Sequence, residues 1–492
     1  MVEPLFTSSE WDFDLIDRAM KECAIIAKDE MRLDTYPNQM EIVTSEQMLD
    51  AYASVGLPVM YKHWSFGKKF SRERDLYQKG KRGLAYELVL NTSPTINYLM
   101  EENTACTQVL VIAHAAYGHN HVFKNNYMFK QWTDAESIVD YLIFARDYIA
   151  KCEERHGAEA VEATLDSAHA LMMNGIDRYK RPRKLSMVEE HLKQKERTEY
   201  LEQTVNDLWR TLPRAEGDAD VKASNHFPAQ PEENVLYFLE KNSPVLESWQ
   251  REILRIVRKL AQYFYPQYQT KVLNEGWASF THYYIMNRLH DKGLLTDGAM
   301  LEFLKLHTSV LYQPSYDSQH FSGLNPYYLG FEIFMDIVRM CNAPDDEDRE
   351  HFPNIAGTDW VETCLDAVAN YRDESFIRQF LGPKVVRKMK LFKLNDDSRE
   401  NSYLISAIQD PAGFKEIRSS LAKSYELDDW CPKVEITGAD IKGDRTLTLT
   451  YYRERGRNMG DSWKAMLAHV NRLWGHKVKL VTARDNLIGE CG

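Results

Sequence analysis

Ala113-His114-Ala115-Ala116-Tyr117-Gly118-His119-Asn120-His121-Val122-Phe123-Lys124-Asn125-Asn126 and Asn274-Glu275-Gly276-Trp277-Ala278-Ser279-Phe280-Thr281-His282-Tyr283 are the two stretches on which the fold of this chain turns. At about 100° per residue, helical positions seven apart return to within about 20° of one direction, two turns further on. If both stretches are helical, His114 and His121 share a face, and so do Glu275 and His282. Imidazoles and carboxylates converging from packed helices build a metal site inside a bundle. His119 lies off that stripe unless Gly118 interrupts the helix. The reading is therefore a mainly α, multi-helix domain with a polar cluster in its interior.

Three histidines within eight residues, set among small and apolar neighbours, are not explained by packing alone, because buried imidazoles need partners or a metal. The candidate metal ligands are His114, His119, His121, His169 and His282. His169 enters through Asp166-Ser167-Ala168-His169, and Cys152-Glu153-Glu154-Arg155-His156-Gly157 holds a second carboxylate–imidazole pair at the same i, i+3 spacing. Zinc, iron and manganese all suit His with carboxylate and no thiolate. The H-E-x-x-H peptidase pattern is excluded, since Ala115 follows His114. A hydrolytic base must then come from Glu275 or Glu154, with Glu101 also available. One arrangement puts His114, His121 and His282 on the metal and Glu275 on the bound water. His156, His290 and His307 read as ordinary helix-end or core histidines, and Glu252 is a weaker carboxylate candidate.

Lys124, Asn125 and Asn126 form a possible ligand-binding group, equally readable as a polar helix-end network. Asn325 before Pro326 is a further ligand-binding candidate, but reads first as a helix cap with proline in the first turn. The sequence carries no phosphate loop, dinucleotide fingerprint, GxSxG or Cys–His signature.

Composition narrows the class. The chain has 492 residues with 44% hydrophobic, 27% charged and a formal net charge of −12. That balance disfavours nucleic-acid binding, which needs a basic stripe. Seven cysteines without a CxxC pair suggest reduced thiols and a cytoplasmic location. The N-terminus lacks a signal-peptide pattern, and no apolar run reaches membrane-span length.

Along the chain, the pattern predicts a first helix over Trp11–Met31 opened by Ser8 or Ser9, then a strand over Gly83–Asn91. Helix follows almost throughout Thr95–Asn174. Residues 181–210 read as a long exposed helix and 213–233 as a loop, together a variable, exposed segment over about 181–233. Helices are expected over Pro244–Leu289, Asp297–His307, Leu329–Cys341 and Trp360–Tyr371. The tail reads strand–helix–strand–strand–helix–strand, a small α+β domain of ferredoxin-like βαββαβ order. The expected division is a helical domain over 1–400 and an α/β domain over 401–492, with a linker near 395–402.

The stretches HVFKNNYMF, CEERHG, LDSAHALMMNGIDRYKRP, SPVLESWQREILRIVRK, YFYPQYQTKVLNEGWASFTHY and SGLNPYYLGFEIFMDIVRMC, in this order, resemble the stage V sporulation protein R (SpoVR) family. The likeness runs from about residue 5 to about 395 and continues into the tail; residues 181–233 carry the least of it. The resemblance implies a cytoplasmic bacterial protein tied to spore cortex formation, or, in bacteria that do not sporulate, to stationary-phase and stress responses. It also implies gene neighbours encoding an AAA-type serine protein kinase and a von Willebrand A-like protein. It carries over no catalytic residues. Three readings stand: a metal-dependent hydrolase, a redox metalloprotein that is a client of those neighbours, and a non-enzymatic regulatory scaffold.

Overall fold

A computed structural model describes residues 3–53, 57, 60–78, 87–179, 192, 227–228, 230–395, 404–426, 431–452 and 460–492. The chain forms two compact units, one of residues 1–165 with 259–431, the other of 166–258 with 432–492. This division is interleaved and differs from the linear boundary expected near 400. The expected linker lies mostly outside the described residues, as do nearly all of 181–226.

The first unit opens with α1 (Phe13–Ile25), which runs on as a π-helical turn, Ile26–Glu30. Its cap is Asp12, whose carboxylate accepts from Leu15 N at 2.8 Å, in place of the expected Ser8 or Ser9. A three-stranded sheet follows, with β1 (Asn38–Val43) parallel to β3 (Thr95–Met100) and β2 (Glu87–Leu90) antiparallel to β3. Two helices, α2 (Ser45–Ala53) and α3 (Trp64–Gln78), lie between β1 and β2 in sequence. Thr95–Met100 is thus strand where helix was expected. Its residues alternate between buried and half-buried, the period-two signature of a sheet.

The central helix is built in three windings: α4 (Ala105–Val111), a π-helical segment Ile112–His119, and α5 (Asn120–Asn125). Every residue from Ala105 to Phe123 is buried, so the helix needs no polar face. Next come α6 (Tyr127–Trp132), α7 (Ile138–His156), closed by Gly157 at φ 87°, and α8 (Ala158–Ala170). After α9 (Val235–Asn242), the stretch expected to run unbroken to Leu289 is two helices, α10 (Ser248–Gln269) and α11 (Lys271–Asp291). The joint is held by Asp373, whose two carboxylate oxygens accept from Val272 N and Leu273 N, both at 2.9 Å. Free N–H groups at a helix start are what such a carboxylate satisfies.

Among the described residues, the first unit also holds α12 (Asp297–Val310), α13 (Pro326–Asn342), α14 (Asp346–His351), α15 (Trp360–Asn370), α16 (Asp373–Phe380), α17 (Pro383–Lys388) and α18 (Pro411–Ser424). Small residues let the site helices touch backbone to backbone. A Cβ on Gly118 would sit 2.7 Å from Ala278 Cα, and one on Gly276 would sit 2.4 Å from the carbonyl carbon of Gly330.

β4 (Lys393–Asn395) and β5 (Leu404–Ala407) pair antiparallel within this unit. The strand and helix that the sequence reading gave to the tail domain, β5 and α18, therefore belong to the helical unit. In the second unit, β6 (Lys433–Ala439) and β7 (Leu447–Tyr452) are antiparallel, and α19 (Ser462–Trp474) crosses over to β8 (Val478–Thr482), parallel to β7. The added strand β9 (Leu487–Cys491) pairs antiparallel with β8, giving the order β6-β7-β8-β9. The class is small α+β, as expected; the order is ββαββ, not βαββαβ. Trp474 is buried against Phe238 at a ring distance of 5.9 Å, and Ser243 Oγ donates to Leu473 O at 2.7 Å, so the sheet unit includes α9.

Candidate functional site

In an α-helix, residues five apart point about 140° away from each other. The π segment bonds i to i+5 and so takes an extra residue per turn, which brings His114 and His119 onto one side of the helix. Their rings stand 4.6 Å apart and nearly perpendicular. Glu87 on β2 and Glu275 on α11 complete the group. His114 Nε2 lies 3.2 Å from Glu87 Oε1 and 3.9 Å from Glu275 Oε2, and His119 Nε2 lies 3.4 Å from the same Glu275 oxygen. One ligand atom each from Glu87, His114 and His119 falls within a 4.8 Å group. The imidazole side chains keep 6% and 7% of their exposure and the carboxylates 18% and 20%, and Glu87 Oε2 and Glu275 Oε2 are themselves buried.

Outside this ring sits a set of orienting contacts. His119 Nδ1 is 2.9 Å from Asn274 Oδ1; with its proton there, the ring turns its Nε2 lone pair into the cluster. His114 Nδ1 is 2.8 Å from His282 Nδ1, and His282 Nε2 is 2.7 Å from His307 Nδ1. His307 lies on α12 between Tyr283, Phe303 and Phe331.

The electrostatics are those of a buried donor set. Desolvation, then the charge of Glu275, holds the Glu87 carboxyl well above the usual carboxylate range. Desolvation, followed by His119 and His282, keeps His114 well below the usual imidazole range. His282 is depressed in the same way, with His307 the second cause, and burial takes His307 down to about 4. Burial thus disfavours a charge on the His114 ring and on the Glu87 carboxyl. A divalent ion would satisfy both, so these residues fit one.

The structure redistributes the other sequence candidates. His121 is turned away by the π segment: its Nδ1 meets the backbone of Asp34, at 2.9 Å from O and 3.1 Å from N. His282 is beside the cluster, but both its ring nitrogens are taken up by His114 and His307. His169 belongs to the second compact unit. Glu154 is exposed on α7, and Glu101 is exposed beyond β3.

Lys124 and Asn125 hold the 34–35 backbone, with Lys124 Nζ donating to Thr35 O at 3.0 Å, as well as to the Asp34 carboxylate, and Asn125 Nδ2 donating to Asp34 O at 2.8 Å. Asn126 caps α6 and donates to Val368 O and Tyr371 O. Asn325 caps α13 and donates to Val310 O and Tyr312 O. These four residues bind the protein's own backbone.

Sequence reading missed Glu87, Asn274 and His307. Glu87 carried one usable signal: it is the single acid in the apolar run Leu84-Ala85-Tyr86-Glu87-Leu88-Val89-Leu90.

Residues 10–429 match the family model described as SpoVR like protein, and residues 432–485 match the SpoVR-like C-terminal domain. A relative described as an uncharacterized protein YcgB, from Escherichia coli (strain K12), is 56% identical over 471 residues, which is 96% of this chain and 92% of the relative. No solved structure matches the chain. With both family models matched in sequence and a full-length relative at that identity, the chain belongs to the SpoVR family.

Proposed function

We propose that the protein is a metal-dependent hydrolase whose centre is formed by Glu87, His114 and His119, with Glu275 as the general base. The carrying observation is the convergence of one ring nitrogen from each of two imidazoles and a carboxylate oxygen within 4.8 Å, beside a second carboxylate 3.4 Å from His119 Nε2. Two His and one carboxylate form a ligand set of catalytic zinc sites. A bound ion would supply Lewis acidity and a more acidic water. Within the chain, Asn274 holds the His119 ring, and Glu275, whose Oε2 lies 3.4 Å from His119 Nε2, would be the group to accept a proton from water at the centre. A peptide, amide or cell-wall precursor is the substrate class in keeping with this chemistry. The family resemblance supports a cytoplasmic role in sporulation or in stationary-phase and stress responses, beside an AAA-type kinase and a von Willebrand A-like protein. Among the described residues, no helix is long and apolar enough to cross a membrane.

The same two-His, one-carboxylate set also suits non-haem iron, which supports a redox metalloprotein as the second reading. Metal analysis of protein purified without added metal or affinity nickel decides between them. Near-stoichiometric zinc, lost in His119→Ala and kept in Glu275→Gln, supports the hydrolase. Redox-active iron moves the assignment to the second reading. A wild-type protein that carries no metal and takes up none sinks both and leaves the regulatory scaffold.

A further inference from the structure

The contact between His114 Nδ1 and His282 Nδ1, at 2.8 Å, and that between His282 Nε2 and His307 Nδ1, at 2.7 Å, form a chain of three imidazoles, with the Ala278 backbone also beside the His114 ring. Each contact needs one donor and one acceptor. His282 is buried between two other imidazoles that take up both its ring nitrogens, with no carboxylate among those contacts, and as a neutral ring it has one N–H to give. The chain can then run in only two directions. In one, His114 Nδ1–H donates to His282 and His282 Nε2–H donates to His307, leaving the His114 Nε2 lone pair facing Glu87 and His119. In the other, every proton sits on the opposite nitrogen, and His114 Nε2 carries a hydrogen into the cluster.

We propose that His282 and His307 are positioning residues, and that His307, through His282, fixes the tautomer in which His114 Nε2 is a free ligand atom. The proposal rests on the reading of Glu87, His114 and His119 as a metal centre. His307 lies on a different helix from the three clustered groups and touches none of them in the contacts above. Its Nδ1 ends the chain, and its ring is stacked against Phe303 and Tyr283, so the orientation of the ring is fixed by packing. Asn274 does for His119 with one amide what this pair does for His114 with two rings. Partners of this kind tune ligand basicity and ring direction.

The test uses full-length protein with ring-15N-labelled histidine, and zinc(II) alone as the probe. His307→Leu removes the acceptor; His307→Asn returns an oxygen at the position of Nδ1. In metal-free wild type, the His114 nitrogen shifts are expected to report the Nδ1–H tautomer, and His307→Leu to lose that preference. Zinc affinity is expected to fall about 10- to 100-fold in His307→Leu and to recover to within a few-fold of wild type in His307→Asn. An Nε2–H tautomer in wild type, or equal affinity losses in both variants, overturns the proposal. If wild type binds no zinc, the metal reading falls while the tautomer measurement still decides this inference. If His307→Leu does not fold, the wild-type tautomer and the Asn variant decide it.

Discussion

His119→Ala removes one of three converging ligand atoms, while His121→Ala, only two positions further on, removes a ring that hydrogen-bonds the Asp34 backbone. Metal content after exhaustive dialysis is expected to fall at least tenfold in the first and to stay near wild type in the second. Glu87→Gln should behave as the first does, because an uncharged amide cannot balance the ion. Retention of metal in Glu87→Gln together with its loss in His121→Ala would remove the present assignment. The sequence showed that something polar is buried near residue 114, since so many histidines in an apolar stretch need partners. It did not show which of them converge. Glu87 belongs to a strand and so has no helical spacing to betray it, and a lone His307 looks like any core histidine.

At the scale of the element, the site depends on how closely helices approach. A side chain on Gly276 would run into the Gly330 backbone of α13 at 2.4 Å, where nothing can rotate aside. Gly276→Val is expected to cost several kcal/mol, enough to leave most of the chain unfolded, as overpacking against backbone does; thermal denaturation reads it directly. The start of α11 carries a second expectation. Burial pushes the Asp373 carboxyl up to about 7, against an ordinary value of 3.8. Between those values the folded state binds more protons than the unfolded one, so stability falls as pH rises from about 4 to about 7 and is level above it. Asp373→Asn keeps an oxygen acceptor without titrating, and urea midpoints measured across that window are expected to lose this descending component. An unchanged pH profile in the variant would refute the assignment to Asp373.

Helix α13, with its Asn325 cap and Pro326 start, was legible in the sequence because cap and proline chemistry are local. The break at Thr270 was not, because the carboxylate that fills it comes from about a hundred residues away.

Across the whole molecule, composition and pattern gave the mainly helical body and the small α+β unit, while the partition of the chain followed long-range pairing. β5 reads well as the first strand of a tail domain, yet it pairs with β4, and α9 joins the sheet unit through Phe238, Ser243 and Trp474. A fragment of residues 432–492 alone therefore lacks the partners that bury Trp474. It is expected to give a poorly dispersed NMR spectrum and no cooperative melt. A well-folded isolated fragment would show that α9 is dispensable to the sheet.

The π-helical winding of 112–119 is one residue longer than the α-helical path it replaces. Excising a single alanine, such as Ala116, would rewind the helix and turn one of the paired rings by about a quarter of a revolution relative to the other. No side chain at the centre would have changed, yet the centre would be gone. A lost codon in this segment would therefore undo the convergence of His114 and His119 as surely as substituting either ring, while leaving both in the sequence.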